Sequence, residues 1–507
     1  MARAARERSE QERETTGVSA RTRTVRRIAF GTDGIRGRAF SDIDEVVVHA
    51  LGRAANRALS GGARGCRWLI GRDTRESGPA LSRALAAGLR ATGADVSDLG
   101  VVPTPVVAFA AEAAGAAGAM VSASHNPWHD NGVKLFGPGG TKLDDAAESA
   151  VSQCLDDLRL IHGDRPSATD VARRGELVSG AAGSAPVGDA SRVLADYEAS
   201  LRDAIDGRML DGLHLVVDGA NGASALLAPA VLRRLGAQVT ALFCGPDGRN
   251  INDGCGSVHP AALQAAVTDQ DADLGLAFDG DGDRLIAVDC EGGLINGDRQ
   301  MALFAVDLAE RGLLVDNTLV VTVMSNLGLR RAVAVAGINL VETAVGDRSV
   351  LEVLDAGGYS LGGEQSGHLI FRHEATTGDG LRSAVHLADL VARRGAAQPG
   401  RTSAAVSGGS ALASAELASA AMVEAPQVLL NVPAATGSLD GHTRRAIDEL
   451  SAAAGPDVRV LVRPSGTEPV IRVMVEATAE RDATALADLL VELVSSGSAA
   501  DAARDQV

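Results

Sequence analysis

The chain is poor in cysteine and in aromatic residues. Its five cysteines, at positions 66, 154, 244, 255 and 290, are odd in number and include no Cys-x-x-Cys pair. This pattern argues against a disulfide framework or a zinc site, so we expect reduced thiols and a cytoplasmic protein. Aromatic residues make up only 2% of the sequence, whereas hydrophobic residues make up 46%. A large core can therefore form, but it must be packed mainly with alanine, valine and leucine.

The chain also lacks an excess of positive charge and long apolar runs. Its net charge is −17, which argues against a general nucleic-acid binder. The two most apolar stretches, 101–121 and 402–423, are interrupted by proline, glutamate, serine or glycine, unlike a membrane span. Residues 1–27 hold eight arginines and four glutamates without apolar periodicity. We interpret them as a disordered tail rather than a secretory signal, and we expect no nucleic acid and no membrane as partners.

Two common nucleotide and hydrolase signatures are missing. No Gly-x-x-x-x-Gly-Lys-Ser/Thr string occurs, and the glycine-rich stretch 30–37 is not Gly-x-Gly-x-x-Gly. No Gly-x-Ser-x-Gly elbow surrounds Ser124. A P-loop site and an α/β-hydrolase site are therefore not indicated.

An acidic loop at 279–284 (Asp-Gly-Asp-Gly-Asp-Arg) is the most informative string that is present. It follows the apolar run 274–278, which predicts a buried strand that ends in a ligand loop. Carboxylates this close repel one another unless a cation lies between them, and Arg284 suggests that a phosphate also binds. An EF-hand does not fit, because its sixth residue would be Arg284 and its twelfth Cys290. We interpret the loop as a metal site, with a solvated turn as the alternative.

A pattern of strand, polar turn, helix, glycine and strand occurs three times, beginning near residues 67, 213 and 319. Each copy is a βαβ unit, which predicts a mainly parallel sheet. We therefore predict an α/β fold with three related α/β domains, whose sheets are mixed but mainly parallel, and a C-terminal α+β domain. The predicted boundaries are 1–27 for the tail, 28–188, 189–292 and 293–394 for the α/β domains, 395–425 for a linker or loosely helical connection, 426–495 for the last domain and 496–507 for a second tail.

Three more polar stretches, 122–127, 363–368 and 463–469, contain side chains suited to catalysis or binding. Residues 122–127 (Ser-Ala-Ser-His-Asn-Pro) follow an apolar run and place Ser124 beside a histidine, although a serine hydroxyl needs activation by a neighbour. Lys134, ten residues further on, could hold a phosphate or move a proton in an anionic site. Residues 363–368 (Gly-Glu-Gln-Ser-Gly-His) offer hydrogen-bonding groups that suit sugar hydroxyls. Taken singly, each stretch also fits a capped or solvated turn.

The last of these stretches, 463–469 (Arg-Pro-Ser-Gly-Thr-Glu-Pro), predicts a phosphate cradle together with Arg472. Hydroxyls, free backbone amides around a glycine and two guanidiniums all donate hydrogen bonds to an anion. A surface turn with a stray arginine is the alternative.

Together these strings resemble the α-D-phosphohexomutase superfamily from about residue 28 to about residue 490. Stretches 30–37, 122–127 and 363–368 are similar to the branch that acts on glucosamine phosphates. Gln365 supports that branch, because relatives that act on mannose or glucose phosphates usually have methionine there. The resemblance implies that the four domains enclose one central cleft.

The resemblance also implies roles for individual residues. Ser124 would be carried as a phosphoserine, and one Mg²⁺ per subunit would be held by Ser124, Asp279, Asp281 and Asp283. The reacting phosphate would be surrounded by Arg36, His125, Lys134 and Arg284, of which either Lys134 or His125 would move the proton. Ring hydroxyls would bind Glu364 and Ser366, and His368 would act as a base or a phosphate ligand. The other phosphate would be held by Arg463, Ser465, Gly466, Thr467 and Arg472.

The expected function is that of an isomerase that interconverts glucosamine 6-phosphate and glucosamine 1-phosphate through a 1,6-bisphosphate, for UDP-N-acetylglucosamine synthesis. The resemblance implies a hexose 1,6-bisphosphate as activator, small-molecule sugar phosphates as partners and a homodimer as the candidate assembly. The alternatives are a phosphomannomutase/phosphoglucomutase and, with less support, a metal-dependent sugar phosphatase. A non-catalytic sugar-phosphate sensor fits least well, since the serine and all three aspartates are present.

Overall fold

The computed structural model describes residues 34–60, 65–161, 187–396, 407–433, 439–464 and 470–504. Within these ranges the chain forms four sheets and fourteen α-helices. None of the helices in these ranges is long and apolar enough to cross a membrane. The predicted tail at 1–27 and residues 465–469 of the predicted phosphate cradle, among them Ser465, Gly466 and Thr467, lie outside the described residues.

The first domain is a five-stranded sheet in the order β1-β5-β4-β2-β3 with helices on its faces. Its elements are β1 (Ile35–Arg38), α1 (Glu45–Leu59), β2 (Arg67–Arg72), α2 (Gly78–Arg90), β3 (Asp95–Val101), α3 (Thr104–Ala114), β4 (Ala117–Val121), β5 (Asp130–Phe136) and α4 (Asp145–Ile161). All five residues of β4 are buried, as expected for a strand that is covered on both faces. This strand leads directly to the loop that carries Ser124.

The second domain is a five-stranded sheet in the order β10-β9-β8-β6-β7. Its elements are α5 (Val187–Ala204), β6 (His214–Asp218), α6 (Leu227–Arg234), β7 (Gln238–Leu242), α7 (Ala261–Asp269), β8 (Leu274–Phe278), β9 (Leu285–Asp289) and β10 (Leu294–Ile295). Strands β8 and β9 are buried throughout, and the acidic loop 279–284 joins them. The buried strand predicted before this loop is therefore confirmed.

The third domain is a four-stranded sheet in the order β12-β11-β13-β14. Its elements are α8 (Gly297–Glu310), a 3₁₀ turn (Val315–Asn317), β11 (Thr318–Thr322), α9 (Leu327–Val335), β12 (Asn339–Thr343), α10 (Asp347–Gly357), β13 (Leu361–Gly363), β14 (Leu369–Phe371), α11 (Gly380–Ala396) and α12 (Ser407–Ala421). Helix α12 lies inside the stretch predicted as a linker. It contacts its surroundings through Ser414, whose Oγ accepts a hydrogen bond from Cys290 N at 3.1 Å, and through the buried Ala418.

The three α/β domains repeat one topology. In each, the strand pairs β2–β3, β6–β7 and β11–β12 of the predicted βαβ units are parallel. A third strand (β4, β8 or β13) adds in parallel on the other side, and an antiparallel strand (β5, β9 or β14) follows it. The predicted mixed sheets and the predicted threefold repeat are therefore confirmed.

The fourth domain is a three-stranded antiparallel sheet in the order β15-β17-β16, with two helices. Its elements are β15 (Gln427–Pro433), α13 (Gly441–Ala454), β16 (Val458–Pro464), β17 (Val470–Ala477) and α14 (Glu480–Arg504). This is the α+β domain that the sequence predicts. Helix α14 extends further than expected, because it continues through the first part of the predicted second tail.

One hydrophobic core runs through the three α/β domains. Met120 of the first domain, Leu276 of the second and Val321 of the third belong to the same continuous cluster of buried residues. The fourth domain has a separate core that includes Ile471 and Leu490. The first three domains are therefore packed as one body by apolar contacts, whereas the fourth is joined to them mainly through its own docking contacts with the third.

Candidate active site

The predicted site loops occupy equivalent places in the three repeated domains. Ser124 lies between β4 and β5, the acidic loop between β8 and β9, and the stretch 363–368 between β13 and β14. Each loop joins the third strand of its repeat to the antiparallel strand that follows. Because the three domains share one core, these three loops approach one another at a common place.

Ser124 is buried and lies against the acidic loop. Its Oγ donates a hydrogen bond to Asp279 Oδ2 at 2.6 Å, and its N–H donates to Ser122 Oγ at 2.9 Å. Only 1% of its surface is exposed. The serine and the acidic loop belong to different domains, so their contact is made by the docking of the first domain on the second.

The three carboxylates of the acidic loop form one compact buried cluster. Each of Asp279, Asp281 and Asp283 offers a ligand oxygen within 4.8 Å of those of the other two. Burial, together with the charges of Asp283 and Asp281, raises the pKa of Asp279 well above its ordinary value. The cluster therefore resists carrying three negative charges by itself, which is the electrostatic setting that a divalent cation relieves.

Lys134 supplies part of the balancing charge. Its Nζ lies 2.8 Å from Asp281 Oδ2 and 2.9 Å from Asp283 Oδ2, and 5% of the residue is exposed. Lys134 thus comes from β5 of the first domain to neutralise carboxylates of the second. A buried ammonium between two carboxylates is expected to stay charged.

The donor set of this cluster fits a hard cation. The second oxygens of Asp281 and Asp283, both Oδ1, are buried and have no hydrogen-bond partner among the described residues. A buried carboxylate oxygen without a partner is energetically unfavourable unless another ligand uses it. Carboxylate oxygens are the ligands that Mg²⁺ prefers, so these atoms are suited to hold such an ion.

His125 and two arginines surround the serine. His125 Nδ1 lies 3.3 Å from Ser124 Oγ. Burial and the nearby charges of Arg284 and Arg36 lower the pKa of His125 to about 4. The imidazole is therefore neutral near pH 7, and the same two arginines give this side of the site a positive potential that suits a phosphate.

The stretch 363–368 meets the acidic loop through His368. Its Nδ1 lies 3.7 Å from Asp283 Oδ2, and its Nε2 lies 3.5 Å from Asp347 Oδ2. Burial lowers the pKa of this histidine, but the carboxylates outweigh burial and raise it above its ordinary value. Two neighbouring side chains, those of Glu364 and Ser366, are half-buried and joined by a hydrogen bond of 3.3 Å.

The described part of the predicted phosphate cradle lies on the fourth domain. Arg463 on β16 and Arg472 on β17 are direct neighbours in the antiparallel pair. Burial and the charge of Arg472 lower the pKa of Arg463, and like charges directly opposite on a sheet are unfavourable without an anion between them. Arg463 contacts Met324 of the third domain at 3.9 Å. Among the described residues it makes no hydrogen bond or ion pair with the Ser124 cluster.

The structure adds residues to the site that the sequence did not single out for it. Thr104 donates from its Oγ1 to Asp281 Oδ2 at 2.7 Å and from its N–H to Asp281 O at 2.8 Å. Arg75 and Asn252 hold backbone carbonyls of the Ser124 loop. All three follow the carboxyl ends of parallel strands, and this position is the one signal in the sequence that could have pointed to them.

Models of four family domains match the chain in order. They are described as phosphoglucomutase/phosphomannomutase alpha/beta/alpha domains I, II and III, at residues 27–160, 196–292 and 296–405, and the C-terminal domain, at residues 415–493. The matched ranges cover most of the chain, indicate its fold and include the acidic loop. They define the class of protein, a phosphohexomutase, which is an isomerase.

A curated relative shows to which branch of this family the chain belongs. Phosphoglucosamine mutase of Rhodococcus erythropolis strain PR4 is 46% identical over 473 residues, which cover 92% of this chain and 99% of that protein. The chain therefore belongs to the phosphoglucomutase/phosphomannomutase family and, within it, to the phosphoglucosamine mutases. The resemblance drawn from its motifs is confirmed.

Two solved structures share the fold. A phosphoglucomutase/phosphomannomutase family protein from Burkholderia thailandensis has a TM-score of 0.70 and 27% identity, covering 91% of this chain and 96% of that one. The N-acetylphosphoglucosamine mutase of Aspergillus fumigatus, solved with GlcNAc-6P and magnesium, has a TM-score of 0.63 and 19% identity, covering 92% of this chain and 96% of that one. A further structure of the Aspergillus protein contains glucose 1,6-bisphosphate. At that identity the second likeness concerns the fold alone.

Proposed function

We propose that this isomerase interconverts glucosamine 6-phosphate and glucosamine 1-phosphate, with Ser124 as the carrier of the phosphoryl group. The observation that carries the proposal is the hydrogen bond of 2.6 Å between Ser124 Oγ and Asp279, beside two buried carboxylate oxygens that have no hydrogen-bond partner among the described residues. This arrangement combines a protected nucleophile with a cation site. The names of the curated relatives support glucosamine phosphate as the substrate.

A Mg²⁺ ion would be held by Asp279, Asp281 and Asp283, together with the phosphate on Ser124. When bound, such an ion neutralises charge on the transferred phosphoryl group. One ion per subunit is the number that a single cluster of three carboxylates accommodates.

The phosphoryl transfer itself exchanges one phosphate ester for another. The bond between phosphorus and Ser124 Oγ breaks as the free hydroxyl of the sugar phosphate forms a new bond to phosphorus. The product is a hexose 1,6-bisphosphate, which would reorient within the site and return its other phosphoryl group to Ser124. A trace of hexose 1,6-bisphosphate would therefore activate an enzyme whose serine has lost its phosphate.

The hydroxyl proton needs an acceptor, and His125 is the better placed of the two candidates. Its imidazole is neutral, because its pKa is about 4, and it lies 3.3 Å from Ser124 Oγ. Lys134 Nζ is already engaged by two carboxylates, those of Asp281 and Asp283, at 2.8 Å and 2.9 Å.

The remaining predicted residues would bind substrate. Glu364 and Ser366 offer an acceptor and a donor that suit ring hydroxyls, and His368 links their loop to the acidic loop. The two facing guanidiniums of Arg463 and Arg472 would grip the phosphate that does not react. Because a mutase must accept its substrate in both orientations, Glu364 and Ser366 would bind ring hydroxyls in either orientation, and the two guanidiniums would bind whichever phosphate does not react.

We also place the protein in the cytoplasm, with sugar phosphates as its partners and a homodimer as the candidate assembly. The five cysteines are all free, which supports a reducing compartment.

The proposal is tested by measuring kcat/KM in parallel for the 6-phosphates of glucosamine, glucose and mannose, with Mg²⁺ and a trace of hexose 1,6-bisphosphate. A clear preference for glucosamine 6-phosphate is expected, together with loss of activity on chelation and its return with Mg²⁺. A preference for glucose or mannose phosphate would overturn the substrate assignment, and steady release of inorganic phosphate would indicate a phosphatase. Ser124→Ala should abolish turnover while substrate still binds, whereas Ser97→Ala, a buried serine on β3, serves as the matched control.

A further inference from the structure

The backbone of Ser124 is held in an unusual conformation. Its φ is +52°, in the left-handed region that residues with a side chain seldom adopt. Such a conformation persists where surrounding contacts fix it, and it is frequent at functional sites. The contacts that fix Ser124 should therefore influence how its Oγ is presented to Asp279 and to a substrate.

Two side chains share the carbonyl oxygen of Ser124. Arg75 Nη2 donates to it at 2.8 Å, and Asn252 Nδ2 donates to it at 2.9 Å. A carbonyl oxygen has two lone pairs, so these donors occupy both. The same two side chains also donate to the carbonyl oxygen of Asn126, at 2.8 Å and 3.0 Å. The two side chains therefore hold the loop by its backbone carbonyl oxygens on both sides of His125.

Arg75 is supplied by the same domain as the serine. Its guanidinium is buried, and Asp73 fixes it through a hydrogen bond of 2.8 Å between Arg75 Nε and Asp73 Oδ2. It also donates to the carbonyl oxygens of Pro127 and Asp130. The arginine therefore organises the loop from within the first domain.

Asn252, in contrast, reaches the serine from the second domain. Its own φ is +57°, and its N–H donates to Ala220 O at 3.0 Å. Asp218, at the end of β6, accepts the N–H groups of Ala220 and Gly256, both at 2.8 Å. The loop that presents Asn252 is therefore fixed to the sheet that also carries the acidic loop.

Gly280 of the acidic loop completes the enclosure of the same carbonyl. A Cβ atom at this position would lie 2.5 Å from Ser124 O and 2.9 Å from Asn252 Nδ2. The backbone of the acidic loop, the amide of Asn252 and the serine carbonyl are therefore packed together without space for a side chain. Asn252 therefore packs between the serine loop and the acidic loop, and we expect a displacement of its side chain to alter their spacing.

We propose that Asn252 is a positioning residue for Ser124: by holding the serine carbonyl from the second domain, it aligns Ser124 Oγ with Asp279. Asn252 contacts the backbone of the serine and not its Oγ, so it acts through the geometry of the loop. The proposal rests on the role of Ser124 as the phosphoryl carrier. It gives a role to a residue that the sequence analysis did not assign to the site.

The test compares Asn252→Ala and Asn252→Asp with wild type and with Asn250→Ala. Alanine removes the amide, whereas aspartate keeps its size but replaces the donor with an oxygen that repels the two carbonyls. Asn250 is the matched control, because its side chain bonds only within its own loop, to Gly245 O and Asp247 N. Three quantities are measured: kcat and KM for the sugar phosphate, the single-turnover rate of Ser124 phosphorylation by hexose 1,6-bisphosphate, and amide hydrogen exchange of the segment 122–130.

Both Asn252 variants should lower kcat and the phosphorylation rate about 10- to 100-fold, since a displacement of about 1 Å can reduce a rate that far. KM should stay within about twofold, and exchange of the segment 122–130 should become faster. Asn250→Ala should match wild type in all three. The proposal is overturned if the Asn252 variants phosphorylate Ser124 at the wild-type rate, or if only KM changes. If wild type shows no turnover, the proposed function fails, and an unchanged exchange rate would then reject the positioning role separately.

Discussion

Replacing Lys134 with methionine should strongly destabilise the protein when Mg²⁺ is absent. The change removes the ammonium that lies 2.8 Å and 2.9 Å from two buried carboxylates, those of Asp281 and Asp283, and keeps most of the side-chain volume. At these separations each attraction is about 6 kcal/mol with an effective dielectric constant of 20, before desolvation is subtracted. Removal of one partner of a buried ion pair reduces stability by about 3–5 kcal/mol, and we expect a loss in that range.

Mg²⁺ should restore much of the stability lost in Lys134→Met. A ligand that binds only the folded state at 100 times its dissociation constant stabilises it by about 2.7 kcal/mol. In the variant, the carboxylates have lost their ammonium, so the ion should raise the unfolding temperature more than it does in wild type. The measurement is the midpoint of thermal unfolding with and without Mg²⁺. Midpoints are compared directly, because four domains need not unfold as one two-state unit.

The control for this experiment is the only other lysine of the chain, Lys142, which forms an ion pair with Asp347. Lys142→Met should also lower the midpoint, but Mg²⁺ should then shift it only as much as in wild type. Equal Mg²⁺ shifts in all three proteins would contradict the reasoning. That result would mean that Lys134 does not neutralise the carboxylates that hold the ion.

Three further outcomes are expected. Gly280→Ala should lower kcat about 10- to 100-fold, because the added Cβ would lie 2.5 Å from Ser124 O. Gly245→Ala is the control and should match wild type in the same assay, because a Cβ at that position has no neighbouring atom within 4 Å. Burial raises the pKa of the Asp298 carboxyl from 3.8 to about 6. Protonation of this carboxyl therefore stabilises the folded state by roughly 3 kcal/mol below about pH 4, and this stabilisation is lost as the pH rises to about 6. The free energy of unfolding, measured by denaturation between pH 4 and 7, should therefore decline less with rising pH in Asp298→Asn than in wild type. Arg472→Met should raise KM for the sugar phosphate about 10- to 100-fold, as expected for the loss of a charged hydrogen-bond donor, and an unchanged KM would argue against the cradle.

The features that the sequence predicted well are those that depend on local pattern. The repeated order of strand, turn, helix and strand specifies parallel pairs, since each short crossover leaves one neighbour within reach. The acidic loop could be recognised because its glycines and carboxylates are adjacent in the sequence and follow an apolar strand. In both cases the information lies within about thirty residues, so no tertiary contact had to be known.

The features that the sequence did not predict depend on contacts between distant residues. Asn252 lies 128 residues from the serine whose carbonyl it holds. Its neighbours in the sequence do not indicate which distant backbone atom its side chain contacts. Helix α12 shows the same limit in another way, because its Ala, Ser and Gly composition left open a linker or a loosely helical connection and did not indicate what the helix packs against. Most of the stability of such a helix comes from packing rather than from propensity, and here Ser414 and Ala418 are buried against the second and third domains.

The distribution of charge explains why this site needs more than one domain. The second domain contributes the three carboxylates, which repel one another when buried, while the first contributes both Ser124 and the ammonium of Lys134. Neither domain alone completes this arrangement: without the first domain the carboxylates lack the Lys134 ammonium, and without the second domain Lys134 loses its ion pairs with Asp281 and Asp283. Docking of the two domains therefore assembles the serine, the carboxylates and their counter-charge in a single step. The same docking brings Asn252 onto the serine carbonyl, so the position of Ser124 and the charge balance of the carboxylate cluster depend on one interface.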